Sequence, residues 1–222
     1  MDTPWARRAI SRDVEDAVPF GPKCGWLAIR GALPADFEAV LGVTRVADCG
    51  WEQGIAKAYE WSGRSGYGEH LFVTPDVEGW TLVVGTRLFV YADPGVEAPF
   101  HDLVVRLSKA VGSEVHYFAT HRVSEAHCWA MAVQGALVRA VSIADGAAAV
   151  DLGDRTDEEP DPFDATEQDV FDLAGTWSVD PSELAGQFPR GQLYTLRRPE
   201  VAEPPRKSAG GRRWWWPFSR PG

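Results

Sequence analysis

The stretch Glu114-Val-His116-Tyr117-Phe118-Ala-Thr120-His121-Arg122-Val-Ser124-Glu125-Ala-His127-Cys128-Trp129-Ala-Met-Ala-Val133-Gln134-Gly135-Ala-Leu137-Val-Arg-Ala-Val-Ser-Ile143-Ala-Asp145-Gly146 decides the fold. It reads as three short runs rich in β-branched and aromatic residues, Glu114 to Thr120, Glu125 to Val133 and Leu137 to Ile143. A tight link at His121-Arg122 and the hairpin pair Gln134-Gly135 separate them, and Asp145-Gly146 turns the chain after the third. Consecutive strands with no helix between them predict an antiparallel meander.

Outward from this block, strand-like runs occur at Trp26 to Arg30, Val43 to Ala47, His70 to Val73, Trp80 to Val84 and, weakly, Leu193 to Leu196. Helical punctuation is equally local. Pro34 opens a segment with Phe37, Val40 and Leu41 on one face and Gly42 as its stop, and Phe100 to Ala110 repeats that period before Gly112. Thr166-Glu167-Gln168-Asp169 has the form of a capping box ahead of Val170, Leu173 and Ala174. Asp180 before Pro181, with Glu183 following, reads as the cap of a fourth, short helix. The expectation is an α+β domain over residues 1–198, an antiparallel sheet with helices packed on one face.

Charge divides the chain. From Pro199 to Gly222 five basic residues face two acids, a net of +3 in a protein of formal charge −10. This segment has no apolar period and is rich in proline and glycine, so residues 199–222 are expected to be a disordered basic tail. Upstream, Asp151 to Asp172 holds ten acids against Arg155, and about 151–165 reads as a solvated acidic loop able to attract that tail.

Composition narrows function. The acidic balance argues against a general nucleic-acid binder and suits a protein partner. The three cysteines, Cys24, Cys49 and Cys128, are widely spaced, which fits reduced thiols and a cytoplasmic setting. No apolar run approaches the roughly 20 residues of a membrane span. The glycine-dense Gly63 to Gly68 lacks the strand-then-helix setting of a phosphate cradle, and no small-molecule cofactor is expected.

Three of five histidines gather near the opening block. Period-two alternation places His116, Phe118 and Thr120 on one face and His127 with Trp129 on one face of the next strand. A metal centre would need His116, His121 or His127 to converge with a further ligand, but their spacing matches no ligand pattern, so neither a metal site nor a catalytic residue is assigned. Thr120, His121, Arg122 and Glu125, at a strand connection, form the candidate functional loop, because loops held by a rigid sheet are where function concentrates. Most tryptophans are expected in the core, with Trp51 and Trp61 partly exposed.

The C-terminal Arg212-Arg213-Trp214-Trp215-Trp216-Pro217-Phe218-Ser219-Arg220 resembles tryptophan-rich cathelicidin-type peptides. That resemblance implies interfacial binding, with tryptophan at the headgroup level and arginine drawn to anionic lipid. Arg212, Arg213, Trp214, Trp215, Trp216, Phe218 and Arg220 are therefore the candidate binding residues of the tail. A second resemblance rests on Leu71-Phe72-Val73-Thr74-Pro75, Gly79-Trp80-Thr81-Leu82-Val83-Val84-Gly85, Thr120-His121-Arg122-Val123 and Gly175-Thr176-Trp177. These blocks are similar to a group of uncharacterised proteins from high-GC bacteria, which implies a bacterial source and one continuous domain. The expected function is a non-enzymatic binding protein, immunity- or adaptor-like, whose acidic domain recognises a protein partner. Its tail is expected to dock on a membrane surface or in a partner's groove. The alternative is an enzyme of unknown class, metal-dependent through His116, His121 or His127.

Overall fold

A computed structural model describes residues 14–61, 67–92, 99–144, 147–162 and 164–197. In chain order the elements are β1 (Val14–Asp16), β2 (Cys24–Arg30), α1 (Phe37–Leu41), β3 (Val43–Cys49), α2 (Trp51–Ala58), β4 (His70–Val77), β5 (Trp80–Gly85), a 3-10 segment (Thr86–Ala92), α3 (Phe100–Val111), β6 (Glu114–His121), β7 (Ala126–Val133), β8 (Ala136–Ala144), β9 (Ala147–Leu152), α4 (Glu167–Trp177), β10 (Gln187–Pro189) and β11 (Gly191–Leu196). The tail residues proposed to bind lie outside the described residues, as does the Asp145-Gly146 turn.

Nine strands form one sheet in the order β3-β11-β4-β5-β2-β6-β7-β8-β9, and every neighbouring pair is antiparallel. The fold is α+β. The meander β6-β7-β8-β9 forms one flank, and Gln134-Gly135 turns between β7 and β8 with φ of 50° and 85°, the left-handed pair that a two-residue hairpin requires. Both outermost strands break register once, β3 between the partners of Leu193 and Tyr194, and β9 between those of Ser142 and Ile143.

Helices cover both faces of the sheet rather than one. Trp26, Ala28, Phe118, Trp129 and Val141 point towards α2 and α4, whereas Leu27, Ile29, Tyr117, Ala119 and Ala130 point towards α1 and α3. The alternation follows from the side-chain period of two, and the central strands are apolar on both faces because both are covered. The glycine stops hold: Gly42 and Gly112 each adopt φ 64° and cap α1 and α3. The capping box holds too, since the Thr166 N–H donates to Asp169 Oδ2 at 2.7 Å and the Asp169 N–H to Thr166 Oγ1 at 3.4 Å.

Other expectations are corrected. Asp180 starts a turn rather than a helix, because its Oδ1 accepts from both the N–H and the hydroxyl of Ser182 at 2.7 Å. The fourth helix is α2, and Trp51, expected to be partly exposed, opens it fully buried. Trp61 is half-exposed, as expected. The acidic stretch is not all solvated, since β9 runs to Leu152 and the carboxylate of Glu159 is buried against Arg139.

Gly54 explains how α2 carries a glycine in its second turn. A Cβ there would overlap the Phe72 ring, so the bare backbone lets the helix sit directly on β4. Gly→Ala inside a helix ordinarily stabilises by about 1 kcal/mol. Here Gly54→Ala is expected to destabilise by about 1–3 kcal/mol through overpacking, measured as a lower urea midpoint.

Candidate functional site

The end of the sheet nearest the β6–β7 connection collects the polar side chains. Cys24, Thr120, His127 and Ile143 are successive cross-strand partners on β2, β6, β7 and β8. Thr120 Oγ1 hydrogen-bonds His127 Nδ1 at 2.9 Å, and both residues are buried. Beside them the Gly21 N–H donates to the Tyr59 hydroxyl at 2.8 Å, the hydroxyl donates to Cys24 Sγ at 3.2 Å, and the thiol donates to the Gly21 carbonyl at 3.1 Å. Burial pushes the Cys24 thiol up to about 12 and the Cys128 thiol up to about 11, so both stay protonated and unreactive.

Above this row opens a cleft of about 320 Å³. The hairpin supplies Arg122, Glu125 and His127, β8 supplies Ile143, and the approach to α4 supplies Pro162, Asp164, Ala165, Thr166 and Glu167. Glu125 holds φ 44°, a left-handed conformation that costs a branched or long side chain energy and that a tight turn imposes. Val123, at the tip, is 72% exposed.

The candidate loop is thus split. Arg122 and Glu125 line the cleft, and the turn closes through the Ser124 N–H donating to the His121 carbonyl at 3.1 Å. Thr120 lies inside β6, engaged with His127. His121 ends β6 on the opposite face by alternation, where its ring meets Phe89 edge-on at 5.7 Å. His127, Asp164, Thr166 and Glu167 join the site only through folding. The capping box located the start of α4, but nothing in the sequence says that this helix lies over β6 and β7.

The histidines do not converge. His116 faces Met131 across β6–β7, four residues along from the Thr120–His127 pair on the same face, a separation on the order of 13 Å. His116 is wholly buried against Trp80 and Trp177 and bonds Glu114 Oε1 at 2.8 Å. No cluster of three histidine, cysteine or acidic side chains able to hold a metal occurs among the described residues.

Burial holds His116 and His127 below the ordinary histidine range, in each case against the upward pull of nearby carboxylates, Glu114 for the first and Glu167, Asp169 and Glu125 for the second. A depressed folded-state value means that the unfolded chain takes up protons first. Stability is therefore expected to be full above pH ~6.5 and to fall as the pH drops below it. Urea midpoints measured from pH 8 to pH 5 should decline, and the double variant His116→Asn/His127→Asn should flatten the decline.

The described residues contain no helix long and apolar enough to cross a membrane. Comparisons with family models, with curated proteins and with solved structures return no match to this chain.

Proposed function

We propose that this is a non-enzymatic bacterial binding protein of the cytoplasm, whose acidic α+β domain recognises a protein partner. The C-terminal tail makes the second contact, on a partner or at the inner face of the membrane. The observation that carries the reading is the β6–β7 tip: Arg122, Val123 and Glu125 project from a nine-stranded sheet beside a charged cleft. Binding residues sit disproportionately on loops positioned by a rigid scaffold, and this tip is such a loop. Inside the domain, by contrast, His127 is engaged with Thr120, His116 with Glu114 and Arg139 with Glu159.

The full chain, immobilised, is expected to retain a defined partner. The Arg122→Glu/Glu125→Arg variant, with an unchanged thermal midpoint, should lose it. Retention of the same partner by the variant moves recognition elsewhere, and retention of none by either overturns the reading. The tail is tested separately by flotation of the full chain with anionic and neutral vesicles, against a Trp214→Ala/Trp215→Ala/Trp216→Ala variant. Anionic-only flotation that the variant loses places the second contact at a membrane.

A further inference from the structure

The cleft has the chemistry of an arginine site. The cleft is lined by three carboxylates, Glu125, Asp164 and Glu167, and one guanidinium, Arg122, while Ile143, Pro162 and Ala165 give it an apolar wall. An arginine lays its methylene stem on such a wall and presents its planar fork to paired carboxylates. Oε2 of Glu167 is shielded from solvent and accepts no hydrogen bond among the described residues. A carboxylate with an oxygen that has no donor of its own is poorly satisfied, and a guanidinium fork is the group that pairs best with carboxylates. His127, 5% exposed, lines the same cleft with Nδ1 committed to Thr120. Burial keeps it neutral, so it adds no competing positive charge.

The chain carries a matching occupant. Thr195 lies opposite His70, Gly85 opposite Gly25, Cys24 opposite Thr120, and Thr120 opposite His127, so β11 ends at the same edge of the sheet as the cleft. The strand order places β11 five steps from β7, a distance of about 24 Å at ~4.8 Å a step. Arg212 follows Arg197 by fifteen residues, a contour of up to about 50 Å. The segment that begins there is basic by +3, against an acidic cleft.

The geometry points to an intramolecular site: the cleft between the β6–β7 turn and the start of α4 binds an arginine of the Arg212-Arg213 pair of the same chain. The contact holds the tail against the domain in the free protein, and it stands whether or not a second protein binds.

The test uses the full chain with a nitroxide on Ser208→Cys, the native cysteines being buried. At low salt the amide resonances of Glu125–Cys128 and Ala165–Gln168 are expected to lose most of their intensity. That loss should vanish in Glu125→Gln/Glu167→Gln, and also in Arg212→Gln/Arg213→Gln, which leaves the folded domain untouched. No broadening in the parent chain, or broadening that survives the Arg212→Gln/Arg213→Gln pair, overturns the proposal. So does broadening seen when nitroxide-bearing unlabelled chains are mixed with isotope-labelled ones, which would make the occupant a second copy.

Discussion

Arg139→Ala is expected to destabilise the protein by about 3–5 kcal/mol, read as a large drop in the urea midpoint at neutral pH. Arg139 and Glu159 have side chains only 2% and 0% exposed, and Arg139 Nε donates to both Glu159 oxygens at 2.9 and 2.8 Å. Its Nη1 donates to Asp151 Oδ1 at 2.6 Å and to the carbonyls of Leu152 and Gly153 at 3.2 and 2.8 Å. One guanidinium thus pins β8, the end of β9 and the acidic loop. Removing it leaves the Glu159 carboxylate in the interior without its partner, which costs far more than the pair contributes over an apolar substitute. The double variant Arg139→Met/Glu159→Met should therefore recover most of the loss. A single-variant effect below about 1 kcal/mol would mean that water reaches Glu159 and that the pair acts as a surface contact.

Trp26→Ala is expected to cost about 3–5 kcal/mol, the range for deleting a large buried aromatic side chain. Trp26 has no exposed surface, stacks on Phe118 at 5.3 Å and on Phe171 at 5.8 Å, and meets Phe20 edge-on at 6.2 Å. It thereby joins the central strand, its neighbour β6, helix α4 and the segment before β2. Trp26→Phe should cost clearly less, since the indole N–H has no acceptor among the described residues and its loss forfeits no hydrogen bond there. Equal costs for the two variants, from urea unfolding with unchanged slope, would show that ring size rather than ring stacking sets the energy.

What was legible in the sequence was local. The meander from Glu114 to Ile143 followed from β-branched runs cut by Gln134-Gly135, and the glycine stops at Gly42 and Gly112 needed no knowledge of the rest of the molecule. Strand β9 escaped because Ala147-Ala148-Ala149 has weak strand preference and pairs only once β8 is in place. Helix α2 escaped because Gly54 reads as a breaker until Phe72 is known to lie against it. The second helical layer was hidden because apolar runs on central strands look alike whether one face or both are covered. Within the site, Arg122 and Glu125 were readable as a turn between strands. Asp164 and Glu167 were not, since sequence position says nothing about a helix start folding back over a turn that lies 39 to 42 positions upstream at Glu125. The buried role of Glu159 was concealed inside a run of acids whose average behaviour is to stay in water.

The register breaks in β3 and β9 bear on how the molecule lives among its copies. A long sheet ends in two rows of backbone donors and acceptors that another chain can complete, and such a row propagates fibres when it is straight and regular. Here each rim is interrupted within its own length, so an incoming strand would lose pairing after a few residues. Each break thus shortens the straight row that an incoming strand could complete, which disfavours growth of the sheet edge to edge.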